Sequence, residues 1–145
     1  MSDEQAPRFR CRVEIEVRFR DLDANNHVNN AVYFTYFEQA RIAYLREVRG
    51  AAQVTVADLG VVISEATCRY RSPAVLGELL VVAVRADEVR RSSFTAHYEV
   101  RERGSERLVA TGTTVQIAYD FARNRIRAFS PEGRQAMLRY EAGDV

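Results

Sequence analysis

Arg20-Asp21-Leu22-Asp23-Ala24-Asn25-Asn26-His27-Val28-Asn29-Asn30 is the stretch from which the fold is read, because it separates a strand pattern from a helix pattern. Upstream, Val13, Ile15, Val17 and Phe19 alternate with Glu14, Glu16 and Arg18, the period of a half-buried strand. Downstream, Tyr33, Phe37, Ala40, Tyr44 and Val48 recur every three or four residues. Phe34 and Leu45 widen that stripe into the apolar face of a long helix. A loop this polar needs its side chains satisfied locally or by a ligand. It also leads into a helix N-terminus, where free N–H groups and the helix dipole attract negative charge, a place suited to an oxyanion.

Working outward, Gly50 supplies a C-terminal helix cap, and a looser segment leads to Gly60. Extended runs follow at Val61 to Arg71, Leu79 to Val89, Phe94 to Arg101 and Leu108 to Tyr119. The first ends before Pro73 and a turn at Gly77; Arg90-Arg91-Ser92-Ser93 and Gly104-Ser105 make the later turns. Ser130-Pro131-Glu132 gives an N-cap, a first-turn proline and an early carboxylate for a short helix reaching Tyr140. Strand, long helix and then four strands predict an α+β chain, an antiparallel sheet with one helix against its face. Such a sheet leaves a face and edges to protect, so an oligomer is expected.

The 145 residues fit one domain, 1–145, and the mixture of 28% charged and 47% apolar residues is that of an ordinary globule rather than a disordered segment. No apolar run approaches the roughly 20 residues of a membrane span. Met1-Ser2-Asp3-Glu4 lacks the basic and apolar regions of a signal peptide, so a cytoplasmic location is expected. Cys11 and Cys68 have no metal-type spacing and read as reduced, packed thiols. A net charge of +1 argues against a broad nucleic-acid footprint. All 21 basic residues are Arg, so any phosphate is held by guanidinium forks or backbone N–H groups.

The run from Asp21 to Tyr33, followed by Glu38-Gln39-Ala40-Arg41, resembles the signature of hotdog-fold thioesterases, nearest to the 4-hydroxybenzoyl-CoA and acyl-ACP thioesterase group. Tyr70-Arg71-Ser72-Pro73-Ala74-Val75-Leu76-Gly77-Glu78 is similar to the strand-turn segment of that family, and the likeness extends from Val13 to Tyr119. The resemblance implies a long helix wrapped by an antiparallel sheet, a dimer with sites at its interface, and pairing of dimers into tetramers. It implies an acyl-CoA or acyl carrier protein thioester as substrate, with no metal or organic cofactor. Asp23 matches the carboxylate that acts as nucleophile or general base, and Asn30 the helix start whose N–H faces the thioester oxygen. Asp23, Asn25 and His27 also match the Asp, Asn and His of the plant acyl-ACP enzymes, so features of two branches are combined.

Thioester hydrolysis needs an activated water or carboxylate nucleophile and a stabilised oxyanion, and one well-placed oxyanion donor is worth about 100- to 1,000-fold in rate. Asp23 provides the first, and N–H groups near Asn29 and Asn30 the second, while an Asn side chain caps the helix. Asp21 is assigned to bracing the loop; two residues from Asp23 in an extended segment, it would share a side with it, and each carboxylate would raise the other's pKa. His27 orients water or substrate or is a hydrogen-bonded loop residue, and Glu38 is expected to be satisfied by Arg41 or by backbone. The acyl chain is expected along Val28, Tyr33 and Phe34, with Arg69 and Arg71, on one side of a strand, meeting nucleotide phosphates.

Competing motifs fail. The Asp21-x-Asp23-x-Asn25 run mimics a calcium loop but has Asn26 where Gly is required and Val32 where Glu is required. There is no Gly-x-Ser-x-Gly elbow. Hydratases of the same fold space their Asp and His more widely, with a Pro between, whereas no Pro separates Asp23 from His27. A non-catalytic module that binds acyl thioesters is the alternative from another class, since fold alone does not fix function.

Overall fold

Which face each strand buries is decided by its alternation, and the alternation places one long helix. A computed structural model describes residues 9–50 and 60–143. The Met1-Ser2-Asp3-Glu4 terminus and the looser segment at 51–59 lie outside those residues. Strand β1 (Cys11–Glu16) is followed by a 3-10 turn at Phe19–Asp21 and helix α1 (Val32–Arg49). Then come β2 (Val61–Tyr70), β3 (Leu79–Asp87), β4 (Ser93–Glu102), β5 (Leu108–Asp120), the short β6 (Arg125–Ile126) and helix α2 (Pro131–Ala142). The sheet order is β1-β3-β4-β5-β2 with β6 on β5, and every pairing is antiparallel. This is the expected α+β arrangement.

Helix α1 covers one face of the sheet. Tyr33, Tyr36, Phe37, Ala40 and Tyr44 are buried along it, against Val82, Val84, Phe94, Ala96, Tyr98 and Val100. Each fully buried large apolar side chain contributes roughly 1.5–3 kcal/mol, so this layer is the principal source of stability. At its centre the Phe37 and Tyr98 rings stack at 4.3 Å and 16°. The stack lies over Gly112, where an added Cβ would come within 2.4 Å of the Phe37 ring and 2.6 Å of the Thr67 carbonyl oxygen. Helix α1 ends at Gly50 (φ +63), as the sequence predicts. The Ser130 hydroxyl caps α2 by accepting the Gly133 N–H at 3.1 Å, and Pro131 fills the first turn. Beyond the start of β1, where β3 loses that neighbour, the Glu141 carboxylate accepts the Ala86 N–H at 2.8 Å and closes the edge.

Several expectations are corrected. The first strand begins at Cys11 and stops at Glu16; Phe19 stands 81% exposed in the 3-10 turn instead of facing the core, because the chain leaves the sheet to form the loop. Phe34 is also more exposed than its place in the stripe predicts, whereas Tyr36, absent from that stripe, is fully buried. Glu38 is exposed and makes no ion pair with Arg41 among the described residues; the Arg41 guanidinium reaches the Tyr98 hydroxyl at 3.5 Å. No helix among the described residues is long and apolar enough to cross a membrane.

Candidate active site

The loop between β1 and α1 is organised around a buried carboxylate. Asp21 is only 2% exposed and accepts hydrogen bonds from the Arg18 N–H at 3.0 Å, the Arg18 guanidinium at 3.0 Å and the Tyr36 hydroxyl at 2.9 Å. Burial pushes its carboxyl upward, but the Arg18 donors and the Tyr36 hydroxyl together outweigh burial and hold it below the ordinary Asp range. The expectation that the Asp21 carboxyl is raised is therefore corrected, since Asp21 is satisfied by its own donors. Its bracing role extends to the main chain, where the Asp21 carbonyl accepts the Asn29 N–H at 2.8 Å.

Asp23 opens a tight reversal. Its N–H donates to the His27 carbonyl at 2.8 Å, its carbonyl accepts the Asn26 N–H at 3.1 Å, and Leu22 and Val28 form a bridge just outside. Asn26 takes a left-handed conformation (φ +60), which Asn tolerates better than most residues. The Asp23 Oδ1 accepts the N–H groups of Asn25, at 2.8 Å, and His27, at 3.4 Å. Its Oδ2 has no donor among the described residues, so one oxygen holds the turn and the other is open. The side chains of Asn25 and His27 are exposed beside it. Val28 is buried, with its N–H on the Ala74 carbonyl at 2.9 Å, and anchors the returning strand.

The helix start departs from a simple asparagine cap. The cap position is Ala31, in helical conformation and with no side-chain bond. Asn29 does the capping from two residues before it, its Oδ1 accepting the Ala31 N–H at 2.9 Å and its carbonyl the Val32 N–H at 2.9 Å. Phe34 donates to the Ala31 carbonyl at 3.3 Å. The Asn29 N–H is taken by Asp21, which removes it as an oxyanion donor, whereas the N–H groups of Asn30 and Tyr33 have no acceptor among the described residues. The Asn30 carbonyl in turn accepts the Tyr70 hydroxyl at 2.9 Å. Tyr33 is buried, its ring edge-on to Tyr70 at 5.3 Å, and burial pushes its hydroxyl up to about 12.

Asp23, Asn25, His27, Val28, Asn29, Asn30 and Tyr33 are therefore brought into one loop and helix turn, with Phe34 at its exposed side. Arg69 is not among them. It pairs across the sheet with Thr111 and lines a cavity on the face away from α1. Arg71 follows the end of β2, its N–H on the Val109 carbonyl at 2.8 Å. Sequence reasoning missed Tyr36 and Tyr70. Tyr36 follows Tyr33 by one helical turn, and Tyr70 alternates with Arg69 and Arg71, so periodicity alone assigns both to the helix side of the sheet.

Residues 17–137 match the family model of the thioesterase-like superfamily. A putative esterase of Aquifex aeolicus is 35% identical over 86 residues, 58% of this chain and 66% of that one. The long-chain acyl-CoA thioesterase FadM of Escherichia coli is 25% identical over 126 residues, 87% of this chain and 96% of that one. Among solved structures, a thioesterase of Thermus thermophilus complexed with coenzyme A and Zn superposes with a TM-score of 0.79 at 30% identity, covering 93% of this chain and 96% of that one. The strand, long helix and four further strands are the hotdog architecture that the loop motif implied. With the family match reaching from the end of the first strand into the last helix, the chain belongs to the thioesterase-like superfamily.

Proposed function

We propose that the chain hydrolyses acyl-CoA thioesters to a carboxylic acid and free thiol. The observation that carries the reading is the pairing of an open carboxylate oxygen on Asp23 with an N–H on Asn30 that has no acceptor among the described residues. In this mechanism the thioester carbonyl oxygen points at the Asn30 N–H, where the first turn of α1 adds the positive end of its dipole. The Asp23 carboxylate takes a proton from water as the water oxygen bonds to the carbonyl carbon. The tetrahedral oxyanion then collapses, the carbon–sulfur bond breaks, and the thiolate leaves and is protonated. Attack by Asp23 itself, through an anhydride, uses the same geometry. Asn25 and His27 lie beside the carboxylate and orient the water or the acyl group. Val28, Tyr33 and Phe34 offer the acyl chain its apolar wall. The resemblance supports a homodimer or a dimer of dimers; an acyl carrier protein is the second thiol carrier that the motif allows.

Thiol release measured over aliphatic and aromatic acyl-CoAs tests the activity and reads chain preference in the same assay. Asp23→Asn keeps the oxygen that accepts the turn N–H groups and removes the proton acceptor, so turnover should fall by about 100- to 10,000-fold with binding retained. No thiol release by the wild-type protein across the panel would favour the non-catalytic binding module. Near-normal turnover by Asp23→Asn would reject Asp23 as base or nucleophile.

A further inference from the structure

The face of the sheet turned away from α1 is not flat. It holds a cavity of about 650 Å³ whose walls are arginines and whose floor is small. Strand register explains the shape. One cross-strand row reads Arg69, Thr111, Glu99, Ala83 and Arg12, from the β2 edge to the β1 edge, and the next reads Thr67, Thr113, His97 and Arg85. The short side chains of Thr67, Thr111 and Thr113 form its floor, and Arg69, Glu99, His97, Arg85 and Arg12 rise around them, which leaves a trough. Arg101 stands over the neighbouring row and lines the same space.

Charge in this trough is unbalanced although the whole chain carries only +1. Four arginines, Arg12, Arg69, Arg85 and Arg101, line it against one carboxylate, Glu99, and that carboxylate is held by Arg101. Arg12 gives an N–H to the Phe9 carbonyl at 3.4 Å, and Arg69 has no acceptor among the described residues. Arg85 meets Asp87 at 3.5 Å, yet its Nε is buried with no hydrogen-bond partner among the described residues, a donor taken from water. The His97 imidazole is held below its ordinary value by burial first and then by the Arg85 charge, against the opposing pull of Asp87, 3.9 Å away, and Glu88.

We propose that this cavity binds a nucleoside bisphosphate. Guanidinium forks and threonine hydroxyls match phosphate oxygens, and the rings of Phe9 and His97 on the wall offer a base something to lie against. The spread of the arginines selects a ligand with separated phosphates. Arg69 and Arg12 stand at opposite ends of a row crossing four interstrand gaps, roughly 19 Å at about 4.8 Å each, beyond the reach of one phosphate. That chemistry has two sources: the nucleotide end of a CoA thioester, delivered to this face from another copy's site, or a free nucleotide acting on the protein.

Calorimetric titration with adenosine 3′,5′-bisphosphate tests the site on the intact chain. Binding should weaken with added salt, and by about tenfold in each of Arg12→Ala and Arg69→Ala, exposed changes whose folding circular dichroism confirms. Arg123→Ala, at an exposed turn outside the cavity lining, should bind as the wild type does. Absence of binding at millimolar nucleotide, or equal binding by all variants, overturns the proposal. Thiol release from acyl-CoA and from a truncated acyl-pantetheine identifies the source. A KM raised only for acyl-CoA in Arg12→Ala assigns the site to the substrate's own nucleotide, and unchanged KM values with retained wild-type binding assign it to a free nucleotide. Either result upholds the cavity as a nucleotide site, and the binding measurement stands even where no substrate is turned over. Sedimentation that changes in the variants, with no effect of nucleotide, would show the face to be covered by a second copy and overturn the proposal.

Discussion

Asp21 and Tyr36 show how one buried pair sets the geometry of the residues proposed to do the chemistry. The hydroxyl donates to the carboxylate at 2.9 Å with both side chains out of water, and the same residue's carbonyl fixes the Asn29 N–H, one peptide from the proposed oxyanion donor. Tyr36→Phe keeps the ring and leaves the carboxylate one donor short, which should destabilise the fold by about 1–3 kcal/mol in urea denaturation. The pH dependence has a definite sign. Because the folded Asp21 carboxyl lies below its unfolded value of about 3.9, its contribution is fully present above that value and is lost as pH falls through the lowered folded value. The stability gap between wild type and Asp21→Asn should thus be constant near neutrality and shrink in the acid limb. A gap that persists unchanged to the lowest pH at which the wild type folds would show that the charge is not what Asp21 contributes. Its bracing role was legible, since an Asp between a strand and a loop is a common turn former, but its donors were not: Tyr36 becomes a neighbour only once α1 packs.

Among the elements, β2 and α1 are joined at the site by the Tyr70 hydroxyl on the Asn30 carbonyl. Tyr70→Phe retains the ring against Tyr33 and removes the hydroxyl that holds the Asn30 carbonyl and neighbours the Cys68 thiol, so the first peptides of α1 lose a restraint. We expect kcat to fall by about tenfold or more with KM within a factor of about two, the pattern of a misplaced donor. A KM change without a kcat change would instead make Tyr70 part of the acyl wall. Packing of the same helix on the sheet gives a second test. Gly112→Ala drives a methyl into the Phe37 ring and a backbone carbonyl that cannot move aside, and should cost at least about 1–3 kcal/mol in urea denaturation. Strand and helix types were readable from period-2 and period-3.6 patterns, and the asparagine-rich loop from its composition. Alternation with Tyr70 already puts Arg69 on the face away from α1, but that it meets the row of Thr111, Glu99 and Arg12 there follows from strand register, which no local pattern encodes. The sequence pattern turns Phe19 inward for a related reason: alternation continues past Glu16, but β1 does not.

At the scale of the molecule, the sheet is unfinished at β2. That strand runs from Val61 to Tyr70 and among the described residues pairs only with β5, so its other edge presents N–H and C=O groups that no described strand pairs. Ile63 and Tyr70 on it are 41% and 48% exposed. Long edges of this kind are templates for another strand; the register shift between Ile63 and Glu65 and the charges Glu65 and Arg69 interrupt this one without covering it. The β1 edge is shorter and is closed at one end by Glu141. We therefore expect a homodimer formed edge to edge through β2, with a mass by light scattering of about 33 kDa, twice the 16.5 kDa of the chain. Because Tyr70 on that edge holds Asn30, a dimer formed there would be mechanically linked to the proposed oxyanion donor. Specific activity should then decline on dilution over the concentration range in which the dimer dissociates, and Ile63→Lys should move both transitions together to higher concentration. A monomeric mass at micromolar concentration, or activity that ignores dissociation, would place the whole site within one chain and leave the β2 edge without a role in catalysis.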